Sequence, residues 1–205
     1  MKKILILAIA SVFGISVYAQ INPIGEFVGD YSEGYEGFPN YNNSGFYQSL
    51  NIMGGNATIN SGNSWQAIYE PGAAEFGLGD KGLATVNSGA KAWGEDYSGA
   101  FEIKFASPMV AFGAYWNYAY YSGATDAVTL AFYDSSNTFI GNTQFTDPMD
   151  NKMRWHGWSS NTPFSRIEIR GDYIVMDDSQ ALVPEPATIL AVGAGLAFFV
   201  RRRKV

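Results

Sequence analysis

Hydrophobic and polar positions alternate with period two through much of the chain. In Ala100-Phe101-Glu102-Ile103-Lys104-Phe105 the odd positions are apolar and Glu102 and Lys104 between them are charged, so Phe101, Ile103 and Phe105 share one face. Val128-Thr129-Leu130-Ala131-Phe132-Tyr133 and Phe164-Ser165-Arg166-Ile167-Glu168-Ile169-Arg170 repeat the device. Residues 109–116 are apolar on both faces, as in a central strand covered on each side. Polar, glycine-rich clusters punctuate these runs: Asn60-Ser61-Gly62-Asn63, Asn87-Ser88-Gly89, Asp134-Ser135-Ser136-Asn137 and Gly171-Asp172. No sustained helical period occurs within residues 20–182, and there is no internal repeat. The Gly- and Asn-rich stretch before Val110 carries the weakest pattern. Many short strands with turn signals predict one all-β domain over residues 20–182, an antiparallel β-sandwich of jelly-roll type.

The two ends read differently. Lys2 and Lys3 precede an apolar run over residues 4–18, and Val17-Tyr18-Ala19 places small residues where a signal peptidase reads. This predicts a secretory signal peptide over residues 1–19, cut after Ala19. The chain has no cysteine, so the exported fold has no disulfide, lipid-modified cysteine or thiolate metal site. At the other end, Val183-Pro184-Glu185-Pro186 leads into an uncharged apolar run over residues 187–200, closed by Arg201, Arg202, Arg203 and Lys204. Fourteen helical residues at about 1.5 Å each reach roughly 21 Å, short of a hydrocarbon core of about 30 Å. Snorkelling by the basic side chains offsets part of that deficit, and their charge places them on the cytoplasmic side. Gly193 and Gly195 loosen the helix further. The expected product is a marginal transmembrane helix suited to brief anchoring.

Pro184-Glu185-Pro186, the hydrophobic segment and the basic tail, in that order at the terminus, resemble the PEP-CTERM sorting signal of bacterial exosortase substrates. The resemblance covers residues 183–205 and leaves the preceding domain unassigned. It implies recognition by a membrane-embedded exosortase and cleavage near the Pro-Glu-Pro triplet. An inner-membrane intermediate with a cytoplasmic C-terminus would precede delivery to the cell surface or exopolysaccharide matrix of a Gram-negative bacterium. An ordinary tail-anchored protein with a proline-rich stalk is the alternative.

Charge narrows the partners of the mature domain. Six of the 13 basic residues lie in the two terminal signals, whereas only Glu185 of the 19 acidic residues does. Residues 20–182 therefore hold 7 basic against 18 acidic side chains, a balance near −11 that opposes nucleic acid and anionic lipid.

Enzyme motifs are sparse. Gly77-Leu78-Gly79-Asp80-Lys81-Gly82 matches a dinucleotide-binding pattern by letter, but no βαβ unit surrounds it, and it reads as a turn. The single histidine, His156 in Arg154-Trp155-His156-Gly157-Trp158, lacks a Gly-x-Ser-x-Gly partner and reads as a strand residue packed among aromatics. Glu95-Asp96, or Asp147 with Asp150, would serve an extracellular hydrolase only if two carboxylates faced each other across a cleft. Two binding features remain. Glu36 with Asp177 and Asp178 supplies hard oxygen ligands for a structural calcium, if the first and last strands meet; otherwise the two aspartates face solvent. Tyr118, Tyr120 and Tyr121 lie past the end of a predicted strand and are the candidates for stacking on sugars. The resulting reading is an exported, non-enzymatic surface or matrix protein associated with exopolysaccharide or biofilm. A carbohydrate-binding module and an extracellular hydrolase are the alternatives.

Overall fold

The computed structural model describes residues 20–40, 45–62, 66–70, 87–95, 99–118, 127–148, 150 and 152–185. They form eleven strands: β1 Ile21–Ile24, β2 Tyr31–Glu33, β3 Ser49–Ile52, β4 Ala57–Asn60, β5 Gln66–Tyr69, β6 Ala92–Glu95, β7 Gly99–Asn117, β8 Val128–Tyr133, β9 Phe139–Phe145, β10 Arg154–Gly171 and β11 Val175–Leu182. Every pairing is antiparallel. One 3₁₀ turn, Met53–Gly55, joins β3 to β4, and no α-helix occurs among the described residues.

Two long strands generate both layers of a sandwich. The first part of β7 (100–104) pairs with the last part of β10 (166–170), flanked by β4 and β3 on one side and by β8 and β9 on the other. The second part of β7 (111–116) pairs with the first part of β10 (154–159), between β11 and β1. β2 and the β6–β5 pair then line the far side of β11. The crossing from layer to layer falls at Met109 and Phe164, where the β10 register breaks on both sides of Phe164. Pro108 and Pro163 stand at this corner. Proline cannot donate to a ladder, so both sit where the ladder is already interrupted. The sequence pattern suggested two strands around Pro108; the structure has one, bent there.

The layers face each other across an aromatic core. Trp93 of β6 meets Phe101 of β7 at 4.6 Å between ring centroids, and Trp116 meets Phe145 of β9 at 5.7 Å. At the corner Phe105 packs edge-on to Phe112 and Phe164. The buried indole N–H of Trp93 donates to Gln66 Oε1 at 2.8 Å, which removes the desolvation cost of both groups. The predicted alternation appears in the packing: Phe101, Ile103, Phe105, Val128, Leu130, Phe132, Ile167 and Ile169 are buried. Their neighbours Glu102, Lys104, Arg166, Glu168 and Arg170 form an outward ladder.

The strand apolar on both faces is explained by what covers it. The chain leaves β1 beside β10 and enters β2 beside β11, so residues 25–30 must cross the outer surface of the second layer. Phe27 packs at right angles to Trp155, 5.6 Å away, and Tyr115 donates its hydroxyl to Glu26 Oε2 at 2.8 Å. Trp155 lies over the facing glycines Gly113 and Gly157; a Cβ at Gly113 would sit 2.4 Å from the indole.

Candidate functional site

A bulge in β11 organises the most unusual part of the molecule. Asp177 pairs with Tyr115 and Gln180 with Gly113, so β11 carries one extra residue between them. Asp178 absorbs it in the left-handed region, at φ 46°. Both aspartates then grip residues 87–91. Asp177 Oδ2 accepts the Asn87 and Ser88 amides at 2.8 and 3.2 Å, and Asp177 Oδ1 accepts the Asp178 amide at 2.7 Å. Asp178 accepts from Asn87 Nδ2 at 2.8 Å and Ser88 Oγ at 2.9 Å. Glu36, from the segment after β2, completes the clasp: its Oε1 accepts the Ala90 and Lys91 amides at 2.7 and 2.8 Å. Lys91 Nζ donates back to the carbonyls of Glu36 and Phe38. Between them, Gly89 adopts φ +65°, and a Cβ there would lie 2.2 Å from Glu36 Oε1.

Strain and burial concentrate at the same place. Tyr35 and Met53 also hold positive φ, at 61° and 55°, and Glu33 secures both by accepting their amides at 2.9 Å. Left-handed non-glycine residues persist where their surroundings over-determine them. The fully buried Tyr35 hydroxyl meets Ser179 Oγ at 2.9 Å, and desolvation pushes its pKa well above the ordinary phenol value. Asp177 is completely buried. Desolvation is the main cause that lifts its carboxyl from 3.8 to about 6; the Asn87 amide opposes the rise and the Asp178 charge adds to it.

The structure brings Glu36, Asp177 and Asp178, the residues proposed as calcium ligands, onto one loop. Their oxygens serve as acceptors for that loop, and among the described residues no group of three or more His, Cys, Asp or Glu side chains is arranged to hold a metal ion. Residues 87–91 themselves were not singled out as functional. Asn87-Ser88-Gly89 read only as a turn, although a glycine beside two short polar residues is what a tightly clasped loop needs.

The aromatic candidates divide. Tyr118 is buried, with 4% exposure; its hydroxyl accepts the Asp147 amide at 2.9 Å and its ring stands edge-on to Phe145. It is thus turned into the molecule, because Asp147 supplies the polar partner that a buried phenol needs. Tyr120 and Tyr121 lie outside the described residues, as do Asp96 and residues 77–82. His156 stacks on Phe145 at 4.0 Å, runs nearly parallel to Trp158, and has Nε2 2.7 Å from Asp147 Oδ2. Packing among aromatics describes it well. Arg154 holds Asp150 through two bonds of 2.8 Å, and that guanidinium lowers the Asp150 carboxyl below its ordinary value.

The C-terminal end of the domain is the third element. β11 ends at Leu182, and the next amide, Val183, donates to Asp30 Oδ2 at 3.0 Å. Pro184 and Glu185 follow at once. Ala19 and the rest of the leader, Pro186, the apolar run, and Arg201, Arg202, Arg203 and Lys204 lie outside the described residues. Among the described residues no helix is long and apolar enough to cross a membrane.

The domain is thus an all-β antiparallel sandwich whose last strand runs directly into a sorting signal. Residues 182–204 match the PEP-CTERM protein-sorting motif, so the chain carries that motif at its C-terminus, which implies export, processing by an exosortase and sorting to the cell surface. No curated protein matches the chain. Among solved structures, a DUF4465 family protein from Bacteroides caccae is similar at 11% identity and TM-score 0.45, over 80% of this chain and 100% of that one. The CBM22-1 xylan-binding domain of Paenibacillus barcinonensis Xyn10C is similar at 13% identity and TM-score 0.39, over 78% and 100%. The K2 cleaved adhesin domain of Lys-gingipain gives 8% identity and TM-score 0.41, over 62% and 90%. At such values no residue role passes from them to this chain.

Proposed function

We propose that this is an exported, non-enzymatic surface or matrix protein of a Gram-negative bacterium. It is held briefly in the inner membrane by residues 187–200 and released by exosortase to the cell surface or exopolysaccharide matrix. The observation that carries the reading is the sorting motif starting at the last residue of β11, with Val183 pinned by Asp30. A cut anywhere after Pro184 leaves the sandwich whole. The signal peptide over residues 1–19 and a jelly-roll description of the strand order belong to this reading. A non-enzymatic role is supported by the engagement of the candidate catalytic groups with structural partners: His156 with Asp147, Asp150 with Arg154, and the three clasp carboxylates with residues 87–91. Intact mass of the protein from membrane, surface and medium fractions of its host tests the proposal. Species running from Gln20 to between Pro184 and Thr188 outside the membrane support it; a membrane species retaining residues 201–205 as the only product sinks it.

Carbohydrate binding is the second reading, favoured by the outer face of the first layer. There Tyr133 carries the Arg166 guanidinium 3.7 Å above its ring and pairs with exposed Phe139. Aromatic faces and planar hydrogen-bonding groups are what a sugar ring needs. If this face retains host exopolysaccharide in affinity electrophoresis, Tyr133→Ala should abolish most of the retardation. Equal retardation of both proteins would remove the face from consideration.

A further inference from the structure

The strand register fixes where the two ends of the domain emerge. Asn22, Ser159, Ala111 and Leu182 form one row across β1, β10, β7 and β11. Since neighbours are antiparallel, β1 and β11 also run in opposite directions. Gln20, just before β1, and Val183, just after β11, therefore leave on the same end of the second layer. Three strand spacings, about 14 Å, separate them. This end is the corner where β7 and β10 bend between layers, and its outside is made by residues 106–108 and 161–163. The crossing segment joins it through Gly29, whose amide donates to Gln180 Oε1, and Asp30, which holds Val183. None of residues 20, 28–30, 106–108, 161–163 or 183–185 is lysine or arginine, and the only acids are Asp30 and Glu185.

Val28 stands out here. It is 92% exposed, one of two large apolar side chains left in solvent among the described residues. A lone exposed valine is ordinary on a surface; its position is not. It lies two residues from the aspartate that fixes the tail, and the apolar run begins at Ala187, four residues beyond Val183. Four extended residues span at most about 14 Å. The headgroup layer is itself about 5–8 Å deep on each side of the hydrocarbon core. At full extension this would clear the headgroup layer by about 6–9 Å, roughly the length by which the 21 Å apolar run falls short of the 30 Å hydrocarbon core, so seating the run draws the domain against the bilayer.

We propose that, in the anchored precursor, this corner is a lipid-facing surface, with Val28 entering the headgroup layer of a membrane whose outer leaflet is not strongly anionic. The inference rests on the reading of residues 187–200 as a membrane anchor. Its partner is the bilayer, since the short tail together with the short apolar run brings the corner there and the acidic domain favours zwitterionic over anionic headgroups.

Absence of native cysteine makes a single-label test direct. The full chain carrying Val28→Cys with an environment-sensitive fluorophore is reconstituted into phosphatidylcholine vesicles, beside a Lys152→Cys control just before β10, at the far end of the second layer from the corner. The label at position 28 should shift to shorter wavelength and be quenched by headgroup-labelled lipid. The label at 152 should do neither, and a chain ending at Glu185 should lose the effect. Alkaline carbonate extraction of the same vesicles reports the tail separately. A tail that resists extraction while the position-28 label stays aqueous overturns the lipid contact and leaves the anchor intact. A tail that extracts freely overturns both. A shift seen only in host membranes, and not in pure lipid, would assign the corner to a protein partner instead and overturn the proposal.

Discussion

Two sets of carboxylates organise this domain, and they work by different physics. Around residues 87–91, Glu36, Asp177 and Asp178 take hydrogen bonds chiefly from backbone amides, with Asp177 wholly buried. On the outer face of the first layer, Glu102 and Glu168 form ion pairs with Lys104, Arg166 and Arg170, of which Lys104 and Arg170 are exposed. The first set fixes a loop that has no regular structure of its own; the second decorates strands already held by their ladders. Burial makes the bonds to Asp177 matter most; those to Glu36 and Asp178 are solvent-exposed and act by fixing the backbone of the loop, whereas solvent screening makes the ion pairs of the second set nearly replaceable.

The sharpest way to break the comparison is pH. Asp177 has its carboxyl raised by burial from 3.8 to about 6, so between those values the folded state holds a proton that the unfolded state has released. Its contribution is therefore favourable at low pH and lost as pH rises through about 6, by roughly 3 kcal/mol in total. Urea titrations from pH 4 to 7 should show this fall in the native protein relative to Asp177→Asn. Parallel curves for the two proteins would contradict it. A smaller effect, about 2 kcal/mol, is expected for Gly89→Ala, which meets both the left-handed backbone and the Glu36 carboxylate. Hydrogen exchange should localise the damage to the Ala90 and Lys91 amides. The smallest change belongs to the ladder. Glu168→Gln should cost within about 0.5 kcal/mol, and added salt should erase it. Its carboxyl is lowered chiefly by the Arg170 hydrogen bond, so that contribution is present above about 4.5 and fades as pH falls.

What the sequence made legible follows the same division. Phe101, Ile103 and Phe105 announced their strand because one face is core and the other is water, which writes a period of two into the residues. β3 and β4 carry short, small or polar segments whose strand state comes from pairing with β7, so little is written locally. The runs at 100–105 and 109–116 read as separate strands; that Pro108 between them sits on the outside of a corner in one bent strand is a tertiary fact. At the clasp, Glu36, Asp177 and Asp178 were recognisable as acids that could meet. Their partners were hidden, since the bonds from residues 87–91 reach about 54 to 91 positions along the chain. Tyr118 looked exposed from its position past a strand, and its packing on Phe145 and the Asp147 amide explain its burial.

The direct junction of β11 to the sorting motif also decides how the domain carries load. β11 is paired on both sides, with β7 along one edge and β2 and β6 along the other. A pull on the C-terminal tail acts along this strand, perpendicular to its hydrogen bonds, so many bonds must shear together. A pull from the other end acts on β1, which pairs only with β10 among the described residues and contains Pro23. In the proposed anchored precursor, tension thus enters through a strand built to resist it.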